Sequence, residues 1–196
     1  MDATVRTQPG RFVVQPGEWR VSAEPAVLST LLGSCVAVCL YDPINRVIGM
    51  NHFLLAVRRP VRGRAVLTSE AGRYGIEAME LLINDLMECG ARRANLKAKA
   101  FGGANVLGTR CDQSGFPCVG TTNVRFVREF LETDGIPLVA ADLGGTFGRH
   151  MRFASKDFSV HVRKINPLRS RALWDEERVY WREASQDTAP TPVEFW

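Results

Sequence analysis

Histidine is scarce in this chain, with three among 196 residues, and the five cysteines include no Cys-x-x-Cys pair. Zinc sites favour closely spaced cysteine or histidine pairs. Cys111 and Cys118 share one loop but have six residues between them and no second pair, so no metal is expected. Charge of one sign is also lacking. The 25 basic and 21 acidic residues leave a formal charge of +4, too mild to argue for nucleic acid unless the basic residues gather on one face. The longest apolar window, Val27 to Leu40, spans 14 residues and is broken by Ser, Thr and Gly. A membrane helix needs about 20 apolar residues, so membrane insertion is not expected. The opening "MDATVRTQPGRF" has no apolar signal core. Together with an odd number of cysteines, that points to free thiols in a reducing compartment and a cytoplasmic location.

Several nucleotide and hydrolase signatures are missing too. "FGGAN" and "LGGTFGR" are glycine-rich, but neither has the GxGxxG or GxxxxGK[ST] spacing that turns backbone N–H groups toward phosphate. Their glycines are expected to make tight turns with positive φ, at Gly102/Gly103 and Gly144/Gly145. There is no GxSxG elbow, no HExxH and no internal repeat. No cofactor is expected.

Hydrophobic residues make up 45% of the chain and charged residues 23%, an ordinary globular balance. A segment of this length can bury a core without staples. Short extended stretches flank a Pro16-Gly17 turn. Ser29 to Tyr41 reads as a strand covered on both faces. "VIGMNHFLLAV" reads as its hairpin partner across the Asp42–Asn45 turn. Ile76, Met79, Leu82, Ile83 and Leu86 recur at helical spacing before a stop at Gly90. "NLKAKAFGG" alternates as a strand. "TTNVRFVREFLETDG" reads as a second helix, with Thr121, Thr122 or Asn123 as its N-cap. Strands are predicted again in "IPLVAADLGG", "HMRFA" and "FSVHVRKI". The chain therefore divides into an N-terminal segment with a loose start (1–19), a mixed α/β domain (20–166) and a charged extension (167–196) carrying one helix around Ala172–Arg182. The basic loop Arg58, Arg59, Arg62, Arg64 reads first as solvated surface and second as a dock for an acidic helix.

The stretch "STLLGSCVAVCLYD" poses the chemical question. A strand accounts for most of its letters but not for Gly33-Ser34-Cys35 together. A thiol nucleophile needs a base, and histidine is the usual one because its pKa lies near working pH. His52 lies in the next strand, and the midpoint between positions 35 and 52 falls inside the Asp42–Asn45 turn. A hairpin would bring the pair together, with Thr30 or Ser29 upstream to orient the imidazole. Backbone amides at Gly33 and Ser34 could face an oxyanion. The rival reading is that Cys35 is one more small core residue, since free cysteine is among the most buried residue types.

These segments, "TLLGSCVAVCLYDP", "GMNHFLLA", "RYGIEAMELLINDLMECGA", "KAFGGANVL", "VGTTNVRFVREFL", "GIPLVAADLGGTFGRHMRF" and "VHVRKI", run in collinear order over roughly residues 20–166 and resemble the CheD family, the chemoreceptor glutamine deamidases of bacterial chemotaxis. The resemblance implies mixed β-sheets packed as a sandwich with helices outside. It implies Cys35 as nucleophile, His52 as base, and Thr30 as third catalytic residue, with the adjacent Ser29 as the alternative. The implied activity is that of a protein-glutamine glutaminase without metal or cofactor. The implied partner is the receptor's cytoplasmic helical bundle, and family members can also bind a CheC-type phosphatase. A non-catalytic adaptor that docks receptors or such a phosphatase is the rival function. The cysteine-containing loop Gly108–Val119 and the tail after Pro167 depart from the family pattern.

Overall fold

The computed structural model describes residues 9–55, 70–106 and 119–166, with side chains in the first helix described from Tyr74 onward. The basic loop at Arg58–Arg64, Cys111, Cys118 and the extension from residue 167 lie outside the described residues.

Two β-sheets pack face to face. The first contains β1 (Gly10–Val13), β3 (Ala26–Leu32), β8 (Gly148–Ala154) and β9 (Val160–Ile165), in that order across the sheet. The second contains β2 (Trp19–Ser22), β5 (Val47–Phe53), β4 (Val36–Asp42), β6 (Lys97–Gly102) and β7 (Leu138–Leu143). In β3 every other residue is buried, from Ala26 through Leu28 and Thr30 to Leu32, which is the period of two expected when one strand face meets a core. Every residue of β4 and β5 is buried, because these strands are covered on both faces. β1 runs parallel to β3 with Val13 level with Ser29, so chain ahead of residue 20 is built into the first sheet.

The helices α1 (Glu70–Glu88) and α2 (Val119–Thr133) lie on the outer face of the second sheet. Met79, Leu82, Ile83 and Leu86 of α1 are buried, as their spacing predicts. Gly90, at φ 98°, closes the helix, and the Ala91 N–H donates back to the Leu86 carbonyl. α2 begins two residues before Thr121, so Thr121, Thr122 and Asn123 lie within the helix and none is its N-cap. One core fills the space between helices and second sheet, with Phe53, Met79, Leu82 and Phe126 at its centre. A second fills the space between the sheets, with Leu28, Leu32, Met50, Met151 and Phe153. Phe126→Ala should cost roughly 3–5 kcal/mol, because its ring is fully buried against Phe53 and Phe130. Urea unfolding followed by tryptophan fluorescence measures this.

The expected sandwich with helices outside is the observed fold, but the expected hairpin register is not. Asp42 pairs with Val47 and Ala37 with His52, so the residue opposite His52 is Ala37 rather than Cys35. The shift of two has a local cause. Arg46 takes φ 60° and belongs to the turn, while Asp42 accepts hydrogen bonds from the N–H groups of Ile44 and Asn45. The turn therefore sits later in the chain than "DPIN" suggests. Cys35 precedes the first residue of β4. Strand alternation puts it, like Ala37, on the inter-sheet face, two residues from the position opposite His52. No helix among the described residues is long and apolar enough to cross a membrane.

Candidate active site

His52 sits near the end of β5, with its backbone held from both sides. On one flank its N–H donates to Glu18 O at 2.9 Å and its carbonyl accepts from Gly17 N–H at 2.8 Å. On the other flank lies Ala37. The ring points into the space between the sheets, where it is 2% exposed. Its Nδ1 lies 2.8 Å from Thr30 Oγ1, and Thr30 Oγ1 lies 2.7 Å from the Val14 carbonyl. The Val14 carbonyl can only accept, so the Thr30 hydroxyl spends its single proton there. Thr30 Oγ1 must then accept from His52, which puts the imidazole proton on Nδ1 and leaves a lone pair on Nε2. Nε2 is buried and has no hydrogen-bond partner among the described residues.

Two properties follow from this environment. Burial pushes the His52 pKa down to about 4, with the Val14 carbonyl opposing the shift. At neutral pH the ring is therefore an uncharged base. Its orienting partner is a neutral hydroxyl rather than a carboxylate, so among the described residues no adjacent charge stabilises a resting imidazolium. Ser29 does not share the site. Its side chain lies on the opposite face of β3 and donates to Phe12 O at 3.2 Å.

Cys35 lies in the link between β3 and β4, 7% exposed, in the inter-sheet core that also holds Leu32, Ala37 and Leu54. Three successive carbonyls around it are held by donors from other segments. Gly33 O accepts from Ala104 N–H at 2.8 Å, Ser34 O from Asn123 Nδ2 at 2.8 Å, and Cys35 O from Gly103 N–H at 2.7 Å. The "FGGAN" turn makes this approach possible. Gly102 takes φ 107°, and a Cβ there would fall 2.2 Å from Cys35 O. Gly103, Gly144 and Gly145 also have positive φ, as their sequence context predicts. Gly102→Ala should therefore displace the Cys35 loop. The expected result is a larger loss of thiol reactivity toward iodoacetamide than of helix content, read by mass spectrometry and circular dichroism.

The other candidates separate from this centre. Cys39 is fully buried in β4, and burial drives its thiol pKa up, with Lys99 opposing. It is a core residue. His161 is exposed on β9, and His150 lies on β8 opposite Leu31. Among the described residues no cluster of three or more His, Cys, Asp or Glu is placed to hold a metal. Asn123 carried no functional reading in the sequence. It is fully buried, and it bridges the Cys35 loop to Leu55 N–H through its Oδ1 at 2.9 Å.

Comparison with known proteins identifies the family. The family model described as CheD chemotactic sensory transduction matches residues 60–164. A probable chemoreceptor glutamine deamidase of Geobacter sulfurreducens is 52% identical over 95% of this chain and 95% of its own. The chain belongs to the CheD family. A second CheD relative, a probable chemoreceptor glutamine deamidase of Shewanella oneidensis, is 46% identical over 94% of this chain and 93% of its own. The CheD model match begins after Cys35 and His52, whereas the full-length relatives span nearly the whole chain. Among solved structures, the hypothetical protein YfiH of Bacillus licheniformis superposes loosely, with TM-score 0.39 at 17% identity over 63% of this chain and 49% of that one.

Proposed function

We propose that this chain deamidates glutamine side chains of chemoreceptors to glutamate, with Cys35 as nucleophile, His52 as general base and Thr30 as the residue that orients His52. The observation that carries the mechanism is the buried Thr30–His52 pair, which leaves an unpartnered Nε2 lone pair on the sheet face that Cys35 shares. His52 Nε2 takes the Cys35 proton, and the sulfur attacks the carboxamide carbon. Amides of the Gly33–Cys35 loop bind the oxyanion. The C–N bond breaks, and ammonia leaves with the proton returned by His52. Water then gives a proton to the same nitrogen and attacks the thioester, releasing glutamate and the restored thiol. No step needs a metal or cofactor. The reaction is assigned to the cytoplasm, where thiols stay reduced, and to the receptor's cytoplasmic helical bundle. A CheC-type phosphatase is proposed as a further partner. Failure of a purified CheC protein to be retained by the immobilised chain would remove that partner.

The direct test incubates the chain with a receptor cytoplasmic fragment and reads the gain of about one dalton per glutamine that amide hydrolysis brings. Receptor that stays unmodified would overturn the proposal. Thr30→Val should lower kcat roughly ten- to a hundredfold by freeing the imidazole. Ser29→Ala should leave kcat at its wild-type value, since Ser29 faces away from His52. Equal effects of the two substitutions would remove Thr30 from the site.

The pH profile gives a further expected result. His52 is neutral above its pKa of about 4, so kcat/KM should stay level from pH 7 down to about pH 5 and fall only below that. A fall centred near 6.5 would mean that the base is solvated in the working enzyme.

A further inference from the structure

We propose that Asn123 is a positioning residue that aims the Cys35 backbone N–H at the oxyanion formed on the substrate carboxamide. This rests on the thiol deamidase reading above. The Ser34 carbonyl and the Cys35 N–H belong to one peptide unit. No peptide bond in the described chain is cis, so the two groups point in opposite directions across a rigid plane. Asn123 Nδ2 holds the carbonyl end at 2.8 Å, and that bond sets the direction of the N–H end. The amide whose direction is fixed in this way is the nucleophile's own.

The placement of Asn123 suits this role. It lies in the buried face of α2 with both ends of its amide used. The Oδ1 end holds Leu55 N–H, two residues beyond β5, the strand that carries His52. One rigid side chain thus spans the segment bearing the base and the loop bearing the nucleophile. The Gly33 and Cys35 carbonyls are held by backbone donors, Ala104 N–H and Gly103 N–H. Among these three successive carbonyls, Ser34 alone depends on a side chain for its pin.

The experiment separates the oxyanion from the nucleophile. Alkylation of Cys35 by iodoacetamide needs the thiolate but forms no oxyanion, whereas deamidation needs both. In Asn123→Ala, kcat on a receptor cytoplasmic fragment should fall roughly a hundredfold, the scale of one lost oxyanion donor. KM, the iodoacetamide rate and the pH dependence of that rate should stay at wild-type values. Asn123→Asp keeps an acceptor for Leu55 N–H and replaces the donor to Ser34 O with an oxygen that repels it. It should show the same split, and it serves if the alanine variant does not fold. An unchanged kcat in either folded variant overturns the role, and so does a parallel fall in kcat and alkylation rate. An active wild type beside an unaffected Asn123 variant removes this inference alone, whereas an inactive wild type removes the deamidase reading and this role with it.

Discussion

Replacing Cys35 by alanine should abolish deamidation of a receptor fragment, with turnover lowered by at least about a thousandfold and the receptor still bound. The fold should survive. Cys35 belongs to the apolar cluster between the sheets, and alanine removes only one sulfur atom from it. His52→Ala should cost nearly as much, because the thiol then has no acceptor for its proton. The decisive comparison is the double variant. Groups that act as one unit are strongly non-additive, so Cys35→Ala/His52→Ala should be no slower than either single variant. If the two losses multiply, His52 acts on something other than the Cys35 thiol. Mass spectrometry of the receptor fragment reads all three variants, and thermal melts check that each is folded.

The parts of this site that could be read in the sequence are those that depend on residue type and local order. Cys35, His52 and Thr30 stand out because a thiol, an imidazole and a hydroxyl fall within one predicted hairpin, and the helical spacing of Met79, Leu82 and Leu86 locates the covering helix. The choice between Ser29 and Thr30 could not be made from spacing. It follows from which face of β3 meets His52, and that depends on β3 pairing with β8, more than a hundred residues later in the chain. Placing the turn one residue too early moved the expected partner of His52 from Ala37 to Cys35. The signal that corrects it, a left-handed Arg46, is a conformation that non-glycine residues seldom take.

Two further components left no trace in residue type. Val14 contributes through its carbonyl oxygen, which takes the Thr30 proton and so decides the His52 tautomer. Any residue supplies a carbonyl, so only the pairing of the first strand with β3 reveals it. Asn123 reads locally as a helix-capping residue, a common use of asparagine. It became visible as a bridge only when α2 was seen to pack against a loop 89 positions earlier. In both cases the proposed role depends on long-range placement that residue type alone does not reveal.

Asp42→Ala should be among the more destabilising changes outside the apolar core, by roughly 1–3 kcal/mol. Asp42 is fully buried at the end of β4. One oxygen accepts from Ile44 N–H and Asn45 N–H, and the other from Asn45 Nδ2, Arg92 N–H and Asn95 Nδ2. It therefore joins the hairpin turn that sets the His52 register to the connection between α1 and β6. Alanine would take one shared acceptor from all of these donors and release the segments it ties together, and asparagine would turn an NH2 group toward some of them, so Asp42→Asn should not rescue. Burial alone would raise the Asp42 pKa, but the hydrogen bonds from Arg92, Asn45 and Asn95 outweigh it and hold the carboxyl below the usual range. A depressed carboxylate pKa gives stability that is present above the unfolded value, about 3.9, and is lost as pH falls toward the folded value. His52 works earlier on the scale. Its pKa falls from 6.5 unfolded to about 4 folded, so the unfolded chain binds the extra proton and stability declines from about pH 6.5 to 4, on the order of 3 kcal/mol. Wild-type stability should thus fall in two stages on acidification. In Asp42→Ala the lower stage should shrink while the upper one remains. In His52→Ala the reverse should hold, and urea midpoints measured from pH 7 to 3 distinguish the two.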